Sequence, residues 1–155
     1  MQYVYNDGGK KEAGFKGNSG DCVCRSISIV TGLPYKEVYK ALNQLAKKER
    51  IGKIKKDKSS ARNGVYKHTY TKYLLSIGYL WVPTMKIGSG CKFHLKEEEL
   101  PKGRLIVVVS KHLTAVIDGV LHDTSDCSRD GTRCVYGYFV KKEVINEQNL
   151  PSMSS

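Results

Sequence analysis

The sequence predicts an α+β fold, with N-terminal helices packed on one side of a C-terminal antiparallel β-sheet. Three observations carry this reading. Apolar residues recur at three- and four-residue intervals through much of the first half, the second half turns to β-branched runs, and Asp118-Gly119 joins two of those runs as a hairpin turn. Helices and strands segregated along the chain make an α+β architecture rather than an alternating one. The 155 residues are read as a single domain, 1–155, large enough to bury a core without metals or disulfides.

Taken in order, residues 3–5 read as a short strand. A loop containing Asp7-Gly8-Gly9 and Lys16-Gly17 then leads to a helix that opens at Cys22. Val23, Ile27 and Val30 form one stripe of that helix, and Gly32 follows as a C-cap signal. Pro34 suits an early position of a second helix, whose apolar face comprises Tyr35, Val38, Tyr39, Leu42, Leu45 and Ala46. From residue 47 to 63 lysines and arginines displace apolar residues, so the segment is expected to be an exposed basic loop. A third helix follows, with Tyr66, Tyr70, Tyr73, Leu74 and Ile77 on one face and Gly78 at its end.

Residues 79–85 read as a strand containing Trp81, with Pro83 suggesting an edge position or a break, since proline cannot donate to a ladder. Residues 87–90 are turn-rich, 91–94 short and extended, and 96–100 an acidic turn. The run Leu105-Ile106-Val107-Val108-Val109 marks a buried strand. Residues 112–117 and 120–124 flank the Asp118-Gly119 turn, residues 125–134 are polar, and 135–140 form a last strand. Residues 146–155 are expected to be a flexible tail.

A net charge of +11 and a pI near 9.4 favour anionic partners, whether nucleic acid, anionic membrane or acidic protein. The charge run at 47–62 reads first as a solvated connector, and beyond that as a docking site for nucleic acid or an acidic partner. No apolar run approaches the roughly 20 residues that span a bilayer, and the start does not resemble a signal peptide. The expectation is a cytoplasmic chain with no membrane partner. Five cysteines at irregular spacing do not suggest a disulfide framework, so reduced thiols are the default.

The chemistry centres on Asn18-Ser19-Gly20-Asp21-Cys22. Asp is a good helix N-cap, which places Cys22 in the first helical turn. Unpaired N–H groups and the positive end of the helix dipole lower a thiol's pKa there and favour the nucleophilic thiolate. Cys24 lies further into the helix and reads as core. Among four histidines, His112 opens a strand directly after the most hydrophobic run, while His68 and His94 read as surface or packing residues. Asp123 follows His112 by eleven residues, and pairing about the Asp118-Gly119 turn brings them to one end of the sheet. His122 points to the opposite face. Cys91, Cys127 and Cys134, with His122, are the residues that could make a zinc set, but the gap from Cys127 to Cys134 is loose for zinc. No metal or other cofactor is expected. A Cys127–Cys134 disulfide is conceivable only under oxidation.

This order of residues resembles the papain-like cysteine peptidases, chiefly small bacterial and viral members similar in plan to bacteriocin-leader-processing peptidases. The window Gly20-Asp21-Cys22-Val23-Cys24-Arg25-Ser26-Ile27 also resembles the cysteine loop of ovarian-tumour-type deubiquitinases, which reads Asp-Gly-Asn-Cys-Leu-Phe-Arg-Ser/Ala-Ile; Cys22, Arg25, Ser26 and Ile27 match it. Those deubiquitinases usually place the orienting residue two positions after the histidine, here Thr114, so Asp123 fits the papain-like pattern better. The resemblance implies Cys22 as nucleophile, His112 as general base and then acid, and Asp123 as orienting group. Papain-like enzymes place a Gln about six residues before the cysteine, whereas position 16 is Lys; Asn18 and the Cys22 backbone N–H are the candidate oxyanion donors. The implied activity is hydrolysis of peptide or isopeptide bonds through an acyl-enzyme. The competing expectation is a basic binding module without turnover.

Overall fold

The computed structural model describes residues 1–17, 19–50, 57–86 and 88–142. Its elements run β1 (Gln2–Tyr5), α1 (Cys22–Thr31), α2 (Tyr35–Ala46), α3 (Lys67–Ser76), β2 (Tyr79–Pro83), β3 (Arg104–Val109), β4 (His112–Ile117), β5 (Val120–Asp123) and β6 (Val135–Lys141). A 3-10 turn at Glu97–Glu99 occupies the expected acidic turn. The architecture is α+β, with a six-stranded sheet in the order β1-β5-β4-β3-β6-β2.

The sheet is mixed, which corrects the expectation of a purely antiparallel, C-terminal sheet. Its four central strands do come from the second half and pair antiparallel. The edges come from outside that group: β2 adds antiparallel to β6, and β1 adds parallel to β5, Gln2 to Val120 through Tyr5 to Asp123. Hydrophobic pattern selects strands but not which neighbour a four-residue strand joins, so the parallel addition of β1 left no trace in the sequence. Pro83 ends the edge strand β2, where its missing N–H matters least.

β3 is buried on both faces because its residues alternate between two cores. Ile106 and Val108 pack with Leu113, Ala115 and Phe139 against the helices, with Ile27, Val38, Leu42 and Leu74 among their neighbours. Leu105, Val107 and Val109 turn the other way, towards Val116, Leu121, Leu95 and Leu100. The helices thus lie on one face, and the connector before β3 helps cover the other. Gly137 in β6 is obligatory, since a Cβ there would collide with the Trp81 ring.

α1 is fastened at its far end by two devices. Gly32 takes the left-handed conformation at φ +78° and its N–H returns to Ser28 O at 3.0 Å. Arg104 reaches from β3 to donate Nε to Val30 O at 2.7 Å and Nη2 to Ile29 O at 2.6 Å. A cation on the last carbonyls suits the helix dipole. The helix start is thereby held near the open end of β4.

In the basic segment 47–63, of which residues 51–56 lie outside the described residues, Lys47, Lys48, Arg50, Lys58 and Arg62 are exposed. Ser59 and Ala61 are buried. Ser59 donates N–H and Oγ–H to the Glu49 carboxylate at 2.5 Å each, Thr69 donates to the same carboxylate, and Ala61 N–H bonds Asn43 Oδ1 at 2.9 Å. Polar anchors, together with Ala61 in the core, hold this stretch, and a reading of hydrophobic pattern passes over them. The tail expected at 146–155 also lies outside the described residues. Among the described residues no helix is long and apolar enough to cross a membrane.

Cys91 and Cys134 form a disulfide, which corrects the expectation of five reduced thiols. The extended stretch at His94 bridges antiparallel to Cys134, so Cys91 meets Cys134, while Cys127 turns towards Asp123.

Candidate active site

Cys22 is the first residue of α1, at the address its sequence context predicts. Gly20 permits this placement: a Cβ there would stand 2.6 Å from Asn63 O, so the turn into the helix packs directly on the 60–64 backbone. Asp21 precedes the helix but makes no side-chain capping bond, contrary to expectation. Its fully buried carboxylate is drawn aside instead. It pairs with Arg25, lies 3.3 Å from Lys10 Nζ, and accepts the Tyr35 hydroxyl at 2.5 Å. Burial raises the Asp21 pKa, but Tyr35, Arg25 and Lys10 outweigh it and the net shift is downward.

His112 opens β4 and Asp123 closes β5, and the hairpin register brings them together. His112 Nε2 lies 2.7 Å from Asp123 Oδ2. Cys22 lines the same cleft as His112 and Leu113, and both lower its thiol pKa. The structure thus joins His112 to Asp123 by a hydrogen bond and places Cys22 beside that pair. Asn18, the expected oxyanion donor, lies outside the described residues. The Cys22 N–H itself is in the first helical turn, where backbone donors lack an intrahelical acceptor.

Asp123 is more heavily engaged than sequence reasoning foresaw. Thr114 Oγ1 donates to it at 2.7 Å, the Thr124 N–H at 2.7 Å, and Arg25 Nη2 stands 3.5 Å from Oδ1. Cys127 Sγ lies 3.6 Å from Oδ2. Strand alternation could have found Thr114, because residues 112 and 114 share a face of β4. Arg25 sits one turn along α1 from Asp21, the spacing of an i, i+4 ion pair, but its second link, to Asp123, crosses from helix to sheet and left no local signal.

The electrostatics follow from these contacts. Burial raises the Asp123 pKa, but His112 and Thr114 overcome it and hold the carboxyl at about 2. Burial lowers that of His112, yet Asp123, Cys127 and Cys22 raise it to about 11. Burial pushes the Cys22 thiol up, while His112, the Leu113 N–H and the Arg25 charge bring it below its ordinary value. Cys24, two residues on, has the opposite fate: burial and the nearby Asp21 push it up to about 12. The arrangement draws Cys22 towards the thiolate and Cys24 away from it.

A cleft of about 620 Å³ opens onto Cys22 and His112, lined also by Gly20, Asn63, Tyr70 and Lys111. A neighbouring hollow of about 640 Å³, lined by Lys10, Lys11 and Lys16, shares Ser19 and Arg25 with it but does not include Cys22. The other histidines stand apart, as expected. His122 Nδ1 lies 3.3 Å from Asn6 Nδ2, His68 stacks on Tyr66, and His94 contacts Glu99. The ligand atoms of His112, Asp123 and Cys127 lie within 4.8 Å of one another, close enough for a metal ion, but the Asp123 oxygens already accept four hydrogen bonds from His112, Thr114 and Thr124.

No family model, curated protein or solved structure matches this chain. The chemistry of the site therefore rests on its geometry.

Proposed function

We propose that this chain is a cysteine hydrolase of papain-like plan, cleaving peptide or isopeptide bonds through an acyl-enzyme. The observation that carries the reading is the His112–Asp123 hydrogen bond in a cleft that His112 shares with Cys22, the cysteine standing at a helix N-terminus. In the first step the Cys22 thiolate attacks a carbonyl carbon. The developing oxyanion takes the Cys22 N–H, and His112 gives its proton to the departing amine. The acyl group is then on sulfur and His112 is neutral. A water enters, His112 takes its proton, and the tetrahedral species collapses to release acid and restore the thiolate. Asp123 keeps the ring oriented and stabilises the imidazolium throughout.

The basic balance of the chain suits an acidic protein or peptide substrate. The same +11 charge supports a second reading, a nucleic-acid- or acidic-protein-binding module that uses this fold without turnover. One experiment separates them. A tryptic peptide library is incubated with the chain and new termini are counted by mass spectrometry. The hydrolase reading predicts termini formed by the wild type and none by Cys22→Ala. Cleavage that persists in Cys22→Ala contradicts it. An absence of cleavage, together with polynucleotide binding that weakens steeply with salt, favours the binding module.

A further inference from the structure

Cys91, His94 and Cys134 form a second cluster of ligating side chains, away from Cys22 and used by no step above. It is built by backbone pairing. His94 bridges Cys134, Val135 N–H bonds Phe93 O at 2.8 Å, and Leu95 N–H bonds Arg133 O at 2.8 Å. This ladder sets the Cys91 and Cys134 Cα atoms 5.8 Å apart and brings His94 Nε2 to 3.6 Å from Cys91 Sγ. The other ring nitrogen, Nδ1, lies 3.2 Å from Glu99 Oε2, and the same oxygen accepts the His94 backbone N–H at 2.7 Å.

A carboxylate on Nδ1 selects the tautomer that carries its proton there, leaving the Nε2 lone pair free on the side of Cys91 Sγ. Metal-binding histidines are oriented in this way by an outer carboxylate. Cys91 and His94 are also separated by two residues, the close spacing of a metal-ligand pair. The sequence argument against zinc turned on the gap between Cys127 and Cys134, and the fold removes Cys127 from the set by placing it beside Asp123.

We propose that the reduced chain binds one Zn²⁺ through Cys91 Sγ, Cys134 Sγ and His94 Nε2, with the fourth tetrahedral position open to water. Two thiolates and one imidazole form a donor set suited to this borderline-soft ion. The disulfide and the metal are alternative fastenings of one place. A thiol reductant supplies two electrons and two protons to open the S–S bond, itself becoming a disulfide, and Zn²⁺ then displaces the two thiol protons. Either fastening ties the connector bearing Leu95 and Leu100, which covers one sheet face, to the start of β6.

The test titrates the full chain with Co²⁺ under a phosphine reductant, reading the sulfur-to-cobalt charge-transfer and tetrahedral d–d bands. The expected result is saturation at one Co²⁺ per chain and displacement by Zn²⁺. The bands should be lost in Cys91→Ser and Cys134→Ser, and kept in Cys22→Ala and Cys127→Ser. Glu99→Gln, which removes no ligand, is expected to weaken Zn²⁺ affinity roughly 10- to 100-fold. Three results would overturn the proposal: no stoichiometric binding by the reduced wild type, bands that survive both Cys91→Ser and Cys134→Ser, or bands lost in Cys127→Ser. The last would move the ion to His112–Asp123–Cys127. Because the readout is metal binding, it stands or fails independently of hydrolysis at Cys22.

Discussion

Arg25 links the two buried carboxylates beneath Cys22. It pairs with Asp21 just before its own helix and with Asp123 at the end of β5, so one side chain ties the helix that opens at Cys22 to the carboxylate bonded to His112. Asp123 depends on charge as well as shape, because as a carboxylate it favours the imidazolium. Asp123→Asn keeps the size and loses the charge. The expected outcome is a fall in turnover of about 10²- to 10⁴-fold with the fold retained, measured as kcat/KM beside a circular dichroism spectrum. The sequence made the neighbourhood of Cys22, His112 and Asp123 legible through helix-start context and hairpin symmetry, and strand alternation points to Thr114. The contacts of Arg25 with Asp123 and of Lys10 with Asp21 were not legible, since they come from which elements meet rather than from local spacing.

Among the elements, α1 has the most demanding placement. Its apolar stripe seats it on β3 and β4, Gly32 and Arg104 finish its C-terminus, and Gly20 lets its start press on the 60–64 backbone. The partner atom at Gly20 is a backbone carbonyl rather than a flexible side-chain end. Gly20→Ala is therefore expected to cost about 1–3 kcal/mol, read in urea unfolding, and to reduce turnover by shifting Cys22 from His112. Unchanged stability together with unchanged turnover would show that the close approach at Gly20 does not set the site. Helix periods and β-branched runs made nearly every element legible, with boundaries within a few residues. The pinned ends of the basic segment were not legible, because Glu49, Ser59 and Thr69 are polar residues that look solvent-facing until they meet one another.

For the molecule as a whole, the N-terminal segment matters in a way its polar composition conceals. β1 closes one sheet edge, and Lys10 then reaches the Asp21 network, donating also to Gly17 O at 2.8 Å. Replacing Asp21 by Asn would take from Lys10 its carboxylate partner and leave Arg25 with Asp123 alone, and the expected loss is about 3–5 kcal/mol at neutral pH. The sign of the pH dependence follows from the depressed Asp21 pKa. Its contribution is complete above the unfolded value, near 4, and is lost as pH falls through the lower folded value. Denaturant midpoints of wild type and Asp21→Asn should accordingly converge in strong acid and separate above pH 4. The sequence revealed the fold class at this scale but not the mixed sheet, since a four-residue edge strand carries too little pattern to name its neighbour.

The central claim is that His112 holds Cys22 as a thiolate. Its most direct measurement is the rate of Cys22 alkylation by iodoacetamide against pH, followed by mass spectrometry in wild type and His112→Ala. The depressed Cys22 pKa predicts a wild-type profile whose midpoint lies below that of an ordinary thiol, with Cys24 slow throughout, and a shift to higher pH in His112→Ala. A wild-type midpoint at the ordinary thiol value, unmoved by His112→Ala, would contradict the claim.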